Sequence, residues 1–226
     1  MLAAAVPGLI NCRKCRRLAD FMAALPPKRG RKRQDYWNRP VPGFGDPAAR
    51  VCLVGLAPGA HGANCTGRPF TGDGAGDFMY PLLYEAGFSN QPEATSRDDG
   101  LVLKDLYLTN AVKCLPPDNK PIATEFHACR NYLVEELDSL PHLKVILALG
   151  GDAFRSLLQL YRDRGELRKM SDFSFAHGAV YRFEKAPILV GSYHTSRYNI
   201  QTGRLTAEMF RGLLRTVQQL VAGDNC

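Results

Sequence analysis

Residues 51–76 read VCLVGLAPGAHGANCTGRPFTGDGAG. The first six form an unbroken apolar run, the pattern of a strand buried on both faces in a parallel sheet. A loop follows that carries Gly55, Gly59, Gly62, Gly67, Gly72, Gly74 and Gly76, with His61, Asn64, Arg68, Phe70 and Asp73 among them. Glycine lets a main chain take positive φ and approach a ligand closely, at an entropic cost. So many glycines directly after a buried strand predict a loop that wraps a ligand. The plainer reading is a surface Gly/Pro loop.

Outward from this stretch the same pattern recurs. Apolar runs at 106–111 (LYLTNA), 144–149 (KVILAL) and 188–192 (ILVGS) predict three more buried strands, and 180–183 a minor edge strand. Between them, helical spacing is expected at 16–25, 75–87, 124–140, 152–161 and 205–221, with Thr124 as an N-cap and Gly87 closing its helix. Residues 26–50, rich in Pro, Gly and Arg, read as an irregular loop. Alternating strands and helices predict an α/β fold, a four-stranded, mostly parallel sheet covered on both faces. Ligands of such sheets bind at the carboxyl ends of the strands. The polar clusters follow that rule, since the loop after Leu56, residues 110–114 and residues 194–199 each come after a strand end.

The chain has 226 residues, 45% hydrophobic and 23% charged, enough for one globular domain over 1–226. No apolar stretch is long enough to span a bilayer and residues 1–20 lack the order of a secretory signal, so a cytoplasmic protein without membrane partners is expected. The formal net charge is +7, and Lys28, Arg29, Arg31, Lys32 and Arg33 fill five of six positions ahead of Tyr36, Trp37 and Arg39. Such a run is either a solvated loop or a surface for a polyanion, and the adjoining aromatics favour nucleic acid.

Seven cysteines are present. Cys12 and Cys15 form a CxxC knuckle; Cys114 follows the second strand, with fourteen residues between it and Cys129. Two pairs drawn from distant parts of a chain can close a four-thiolate site for zinc or an iron–sulfur cluster. Arg13, Lys14, Arg16, Arg17, Lys113 and Arg130 would favour thiolates there. The alternative is ordinary buried cysteines with one chance CxxC, and spacing does not choose between zinc and a cluster. Cys52, Cys65 and Cys226 are weaker ligand candidates.

Four segments together resemble the family 5 (type B) uracil-DNA glycosylases: GLAPGA at 55–60, GRPFTGD at 67–73, TNAVKC at 109–114 and YHTSRYN at 193–199. The related family 4 enzymes carry Glu where Leu56 stands here. The resemblance runs from Cys12 to the last helix. It implies three αβα layers and a structural 4Fe-4S cluster on Cys12, Cys15, Cys114 and Cys129. It also implies removal of uracil, and of other deaminated bases such as hypoxanthine, from double-stranded DNA. A monomeric enzyme associated with the nucleoid is expected.

A glycosylase swings its base into a pocket and breaks the sugar–base bond through an oxocarbenium-like sugar. That step needs a negative group or activated water on the sugar side, and a donor for charge growing on the base. On the family's pattern Asp73 takes the sugar side and His194 donates to the uracil O2. Their plainer readings are a helix N-cap and a structural histidine. Phe70 would stack on the base, or simply pack the core, and Asn110 would pair with the N3 and O4 edge, or sit in a turn. Gly55, Ala57, Pro58 and Gly59 would present main chain to the base, with Asn119 a secondary polar contact and Asn199 a support for His194 or a phosphate contact. Residues 197–204 match the segment that enters DNA, which makes Arg197, Tyr198, Ile200 and Arg204 the candidates for that contact. Two other readings compete. One is a non-catalytic nucleic-acid-binding module built on a metal or cluster knuckle, and the other a hydrolase of free nucleotides.

Overall fold

The computed structural model describes residues 6–223, so Cys226 lies outside the described residues. Six strands are formed: β1 (Phe44–Gly45), β2 (Val51–Gly55), β3 (Leu106–Asn110), β4 (Val145–Leu149), β5 (Val180–Tyr181) and β6 (Ile188–Ser192). They make one sheet in the order β1-β3-β2-β4-β6-β5. The four central strands are parallel, and a two-residue antiparallel strand closes each edge.

The four expected parallel strands form the centre of the sheet, and two short edge strands extend it to six. β5 is the anticipated strand at 180–183, shortened to two residues. β1 falls inside 26–50, where Pro and Gly content pointed to irregular chain. It forms through main-chain pairing of Phe44 and Gly45 with Leu108 and Tyr107. Gly45 lets the Leu106 carbonyl approach where any Cβ would overlap it.

Seven α-helices accompany the described strands: α1 (Arg16–Ala24), α2 (Ala63–Thr66), α3 (Gly74–Glu85), α4 (Ala123–Asp138), α5 (Gly151–Asp163), α6 (Arg197–Gln201) and α7 (Ala207–Ala222). Strand side chains alternate between faces, so a strand apolar at every position must be covered twice. In β2, Val51 and Leu53 join Met79 and Leu83 of α3 and Phe210, Leu214 and Val217 of α7. Cys52 and Val54 join Leu133 of α4 and Phe154, Leu157 and Tyr161 of α5 on the other side. The three αβα layers follow. A smaller cluster packs Leu18 and Met22 of α1 against Val112, Leu115 and Cys129. No helix among the described residues is long and apolar enough to cross a membrane.

Helix ends depart from expectation in two places. α4 starts at Ala123, with Ile122 and not Thr124 at its N-cap; the Glu125 carboxylate takes the Ile122 N–H at 2.9 Å and also binds Arg17. Residues 197–204, outside the expected helices, begin with α6, whose cap is the Ser196 hydroxyl accepting from the Asn199 N–H. The other ends behave as the residues suggest: Gly87 has a φ of 78° just beyond α3, and Thr206 caps α7.

The four parallel strands end at Gly55, Asn110, Leu149 and Ser192. From β2 the chain crosses to β3 on one side and later returns to β4 on the other. The loops that leave β2 and β4 diverge, and a crevice opens at that edge.

Candidate active site

Loop 56–73 is pinned by polar groups that the core encloses. Arg68, only 1% exposed, forks onto the Asp99 carboxylate at 2.8 and 2.5 Å and donates from Nε to Thr71. Burial pushes the Asp99 carboxyl up, but the Arg68 guanidinium and the Leu101, Thr95 and Ser96 N–H donors outweigh it and hold the group well below the usual carboxylate range. Asn64, fully buried, donates to the Asn38 side chain at 2.8 Å, while the Trp37 N–H meets the Cys65 carbonyl. A loop anchored in this way presents fixed geometry at its inner surface.

That surface lines a cavity of about 350 Å³, walled by Leu56, Ala57, Gly59, Ala63, Phe70, Asp73, Ala75, Asn110, Asn119, His194 and Ser196. Residues after β2, β3 and β6 thus converge on one space. A larger hollow of about 530 Å³ lies along the β1 edge, between Phe44–Pro47 and Leu101–Lys104. No residue that follows a parallel strand's carboxyl end reaches it, so the smaller cavity is the candidate site.

Asp73 is a helix cap and also lines the cavity. Oδ1 accepts the Ala75 and Gly76 N–H groups, each at 3.1 Å, and so caps α3. Oδ2 lies against Gly59 and Gly62, and a Cβ on Gly62 would overlap it. The capping oxygen fixes the carboxylate, which leaves the second oxygen for other work.

Phe70 holds a φ of 52°, uncommon for an aromatic residue. Strain of this kind persists only where the surroundings enforce it. Its ring edge and the Asn110 Oδ1 both come within 2.5 Å of where a Cβ on Gly55 would stand. Gly55 and Asn110 are partners in the β2–β3 register. Gly55 therefore makes room for two cavity residues and does not itself line the cavity; Pro58, also expected at the base, and Asn199 stand outside its lining as well. Asn119 is in the lining, in a turn where it and Asp118 both take positive φ.

His194 follows β6. Burial lowers its pKa, and the nearby Asp73 carboxylate opposes that shift without cancelling it. The imidazole is consequently neutral at pH 7 and can donate one hydrogen bond. Asn199 supports the residue through its main chain, donating to the His194 carbonyl at 2.8 Å. Arg197 lays its side chain across Gly74, with Nε 2.6 Å from the position of a Cβ there. Tyr198 is 70% exposed, Ile200 is half-buried, and the Arg204 guanidinium sits 4.7 Å from the Tyr193 ring centre.

The sequence reading passed over Leu56, Ala63, Ala75 and Ser196 as cavity walls. Small apolar residues carry no chemical signature, and Ser196 was visible only as part of the segment 193–199.

Cys114 feels the charge of Cys12, Cys15 and Cys129, and Cys129 that of Cys12 and Cys15. Burial, then its thiol neighbours, raises Cys114; burial pushes Cys129 up to about 11, although the Lys113 N–H donates to its sulfur at 3.5 Å. Among the described residues, however, no three or more His, Cys, Asp or Glu side chains stand together as a metal-binding group. The Lys113 ammonium, expected beside the thiolates, is buried on Glu136 and Thr109 instead. A desolvated ammonium needs a paired anion, and Glu136 supplies it while its other oxygen accepts the Gly43 N–H.

A model of the uracil DNA glycosylase superfamily matches residues 42–218 of the chain. A type-5 uracil-DNA glycosylase of Thermus thermophilus is 50% identical over 219 residues, covering 95% of this chain and 96% of that protein. Its counterpart in Pyrobaculum aerophilum is 41% identical, with 93% and 89% of the two chains covered. A third, from Mycobacterium leprae, is 40% identical, with 92% and 91% covered.

Proposed function

We infer the reaction from one premise: this chain belongs to the uracil DNA glycosylase superfamily, in its type-5 branch. It is a hydrolase of N-glycosyl bonds that removes uracil from DNA and leaves an abasic site for repair. The observation that carries this into chemistry is the joint cavity of Asp73, His194, Asn110 and Phe70.

An extruded uracil stacks on Phe70 and offers its N3 and O4 edge to the Asn110 amide. As the C1′–N1 bond breaks, the bonding pair leaves with the base and charge collects on its O2, where neutral His194 donates. The free oxygen of Asp73 faces the sugar, stabilises its cationic character and orients the water that adds at C1′. Capping by Oδ1 holds that oxygen still through the step. Arg197, Tyr198 and Ile200 enter the duplex beside the vacated position.

The reading extends to hypoxanthine and other deaminated bases, which present related hydrogen-bonding edges to the same amide. It also includes a monomer acting at the nucleoid in the cytoplasm. A structural 4Fe-4S cluster on Cys12, Cys15, Cys114 and Cys129 is part of the proposal. What supports it is that Cys114 lies near enough to Cys12, Cys15 and Cys129 to feel their charge, and that the Lys113 N–H is aimed at the Cys129 sulfur. Bound there, it would hold the chain before α1 against the segment after β3, and ligation would displace the thiol protons.

Incubation with a uracil-containing duplex followed by alkali tests the activity, and strand scission at the uracil is the expected result. Intact strands would favour a binding module without catalysis. A brown protein with stoichiometric iron after anaerobic purification is expected for the cluster, and a colourless zinc protein would remove it.

A further inference from the structure

Residues 28–39 carry six cationic side chains and one acid, so five of the chain's seven net positive charges lie in that stretch. The mechanism above uses none of them. Lys28, Arg29, Arg31, Lys32 and Arg33 are all exposed, and among the described residues none is in an ion pair. The one acid, Asp35, turns inward on the loop and accepts the Lys32 N–H at 2.7 Å.

These cations are not on a loose tail. The Tyr36 hydroxyl accepts the Lys28 N–H at 3.0 Å, which closes the segment into a loop, and it lies 2.8 Å from His61 Nδ1. His61 belongs to the loop that forms the cavity wall, two residues from Gly59. Trp37 and Asn38 pair their N–H groups with the Cys65 and Asn64 carbonyls of the same loop. Arg97 packs over Trp37 at 4.0 Å, behind this junction. Arg31 lies close enough to Cys65 to pull that buried thiol's pKa down against the larger, raising effect of desolvation. The cationic loop is thus fastened to the wall that receives the base, while α6 touches that wall's other end at Gly74.

We propose that the closed loop 28–36 is a second DNA-contacting surface, in which Lys28, Arg29, Arg31, Lys32 and Arg33 grip backbone phosphates of the duplex flanking the extruded nucleotide. Five like charges held together repel one another, and a polyanion along the loop relieves that repulsion without any base-specific contact. The proposal rests on the reading of the chain as a DNA enzyme and adds a place where the duplex is held.

Binding to an undamaged duplex tests it separately from catalysis. The variant Arg29→Gln/Arg31→Gln/Lys32→Gln/Arg33→Gln changes only exposed side chains. The slope of log K against log salt should fall in magnitude by ~0.9 for each phosphate that is no longer neutralised, so by about two to four units for these four residues. Affinity in low salt should drop at least about tenfold. Cleavage of a uracil duplex at saturating enzyme should keep its wild-type rate. A salt slope equal to wild type would overturn the proposal, as would a slowed saturated rate with an unchanged slope. If wild type bound DNA with a steep salt dependence yet cleaved nothing, the glycosylase reading would fail and the binding surface would stand.

Discussion

The two walls of the cavity are held by different means. Loop 56–73 is fixed by enclosed polar groups: Arg68 on Asp99, Asn64 on Asn38, and Asp73 at the head of α3. The facing segment, 193–204, has a five-residue helix, one 2.8 Å bond from Asn199 to the His194 carbonyl, and side chains that stand in solvent. A carboxylate and a stacking ring stabilise a transition state best when they need not move during the step. Residues that enter a duplex have to reach outward, and their packing is completed by the DNA. On the proposed function, one wall serves position and the other contact.

If so, substitutions on the two walls should fail in different ways. Asp73→Asn should lower single-turnover cleavage by ~10²–10⁴-fold. It should leave the melting temperature nearly unchanged, because asparagine caps a helix about as well as aspartate. Cleavage at the wild-type rate would remove Asp73 from the mechanism and leave it as a cap alone.

Arg68→Ala should cost about 3–5 kcal/mol in denaturant unfolding, since it strands a buried carboxylate. The Asp99 carboxyl is held below its ordinary value, so the wild-type pair contributes fully above the unfolded-state pKa of ~3.9 and its contribution fades as pH falls toward the lower folded value. The variant should lack that acid-sensitive component. A loss well under 1 kcal/mol would mean that the loop is not held by this pair.

His194 has a lowered pKa, so it remains neutral through pH 7 and charges only below the ordinary imidazole value of ~6.5. Cleavage should be flat across neutral pH and decline on the acid side as the ring becomes a cation facing Asp73. In the Asp73→Asn variant the ring should titrate at still lower pH, because the charge that held it up is gone; NMR titration of the imidazole would show the direction. The smallest effect is expected at Tyr198→Ala on the outward wall. Stability should stay within about 0.5 kcal/mol, as for an exposed site, while KM on duplex substrate rises severalfold with kcat little changed.

Much of this was legible before any coordinates. The strand cores 51–55, 106–110, 145–149 and 188–192 are apolar at nearly every position, and a doubly covered parallel strand has few other ways to read. The cavity residues Asp73, Phe70, Asn110, Asn119 and His194 all lie at or after strand ends, where an open α/β sheet gathers its ligand contacts. Other features escaped because they depend on partners distant in the chain. The N-cap of α4 moved to Ile122 because Glu125 answers both its own helix end and Arg17, 108 positions away. The lock on loop 56–73 is Asp99, 31 positions from Arg68. Asn199 supports His194, one of its two expected parts, but through the main-chain carbonyl and not the imidazole.

The sequence by itself determined which residues must be inside and which chemistry the strand ends carry, because burial and side-chain type are local properties of the pattern. Only the tertiary structure decided that Asp73 shares its two oxygens between a helix cap and a cavity, that Gly55 yields its place to Phe70 and Asn110, and that Lys113 turns to Glu136. Those outcomes depend on distances between segments, and a distance across the sheet is set by packing all the layers at once.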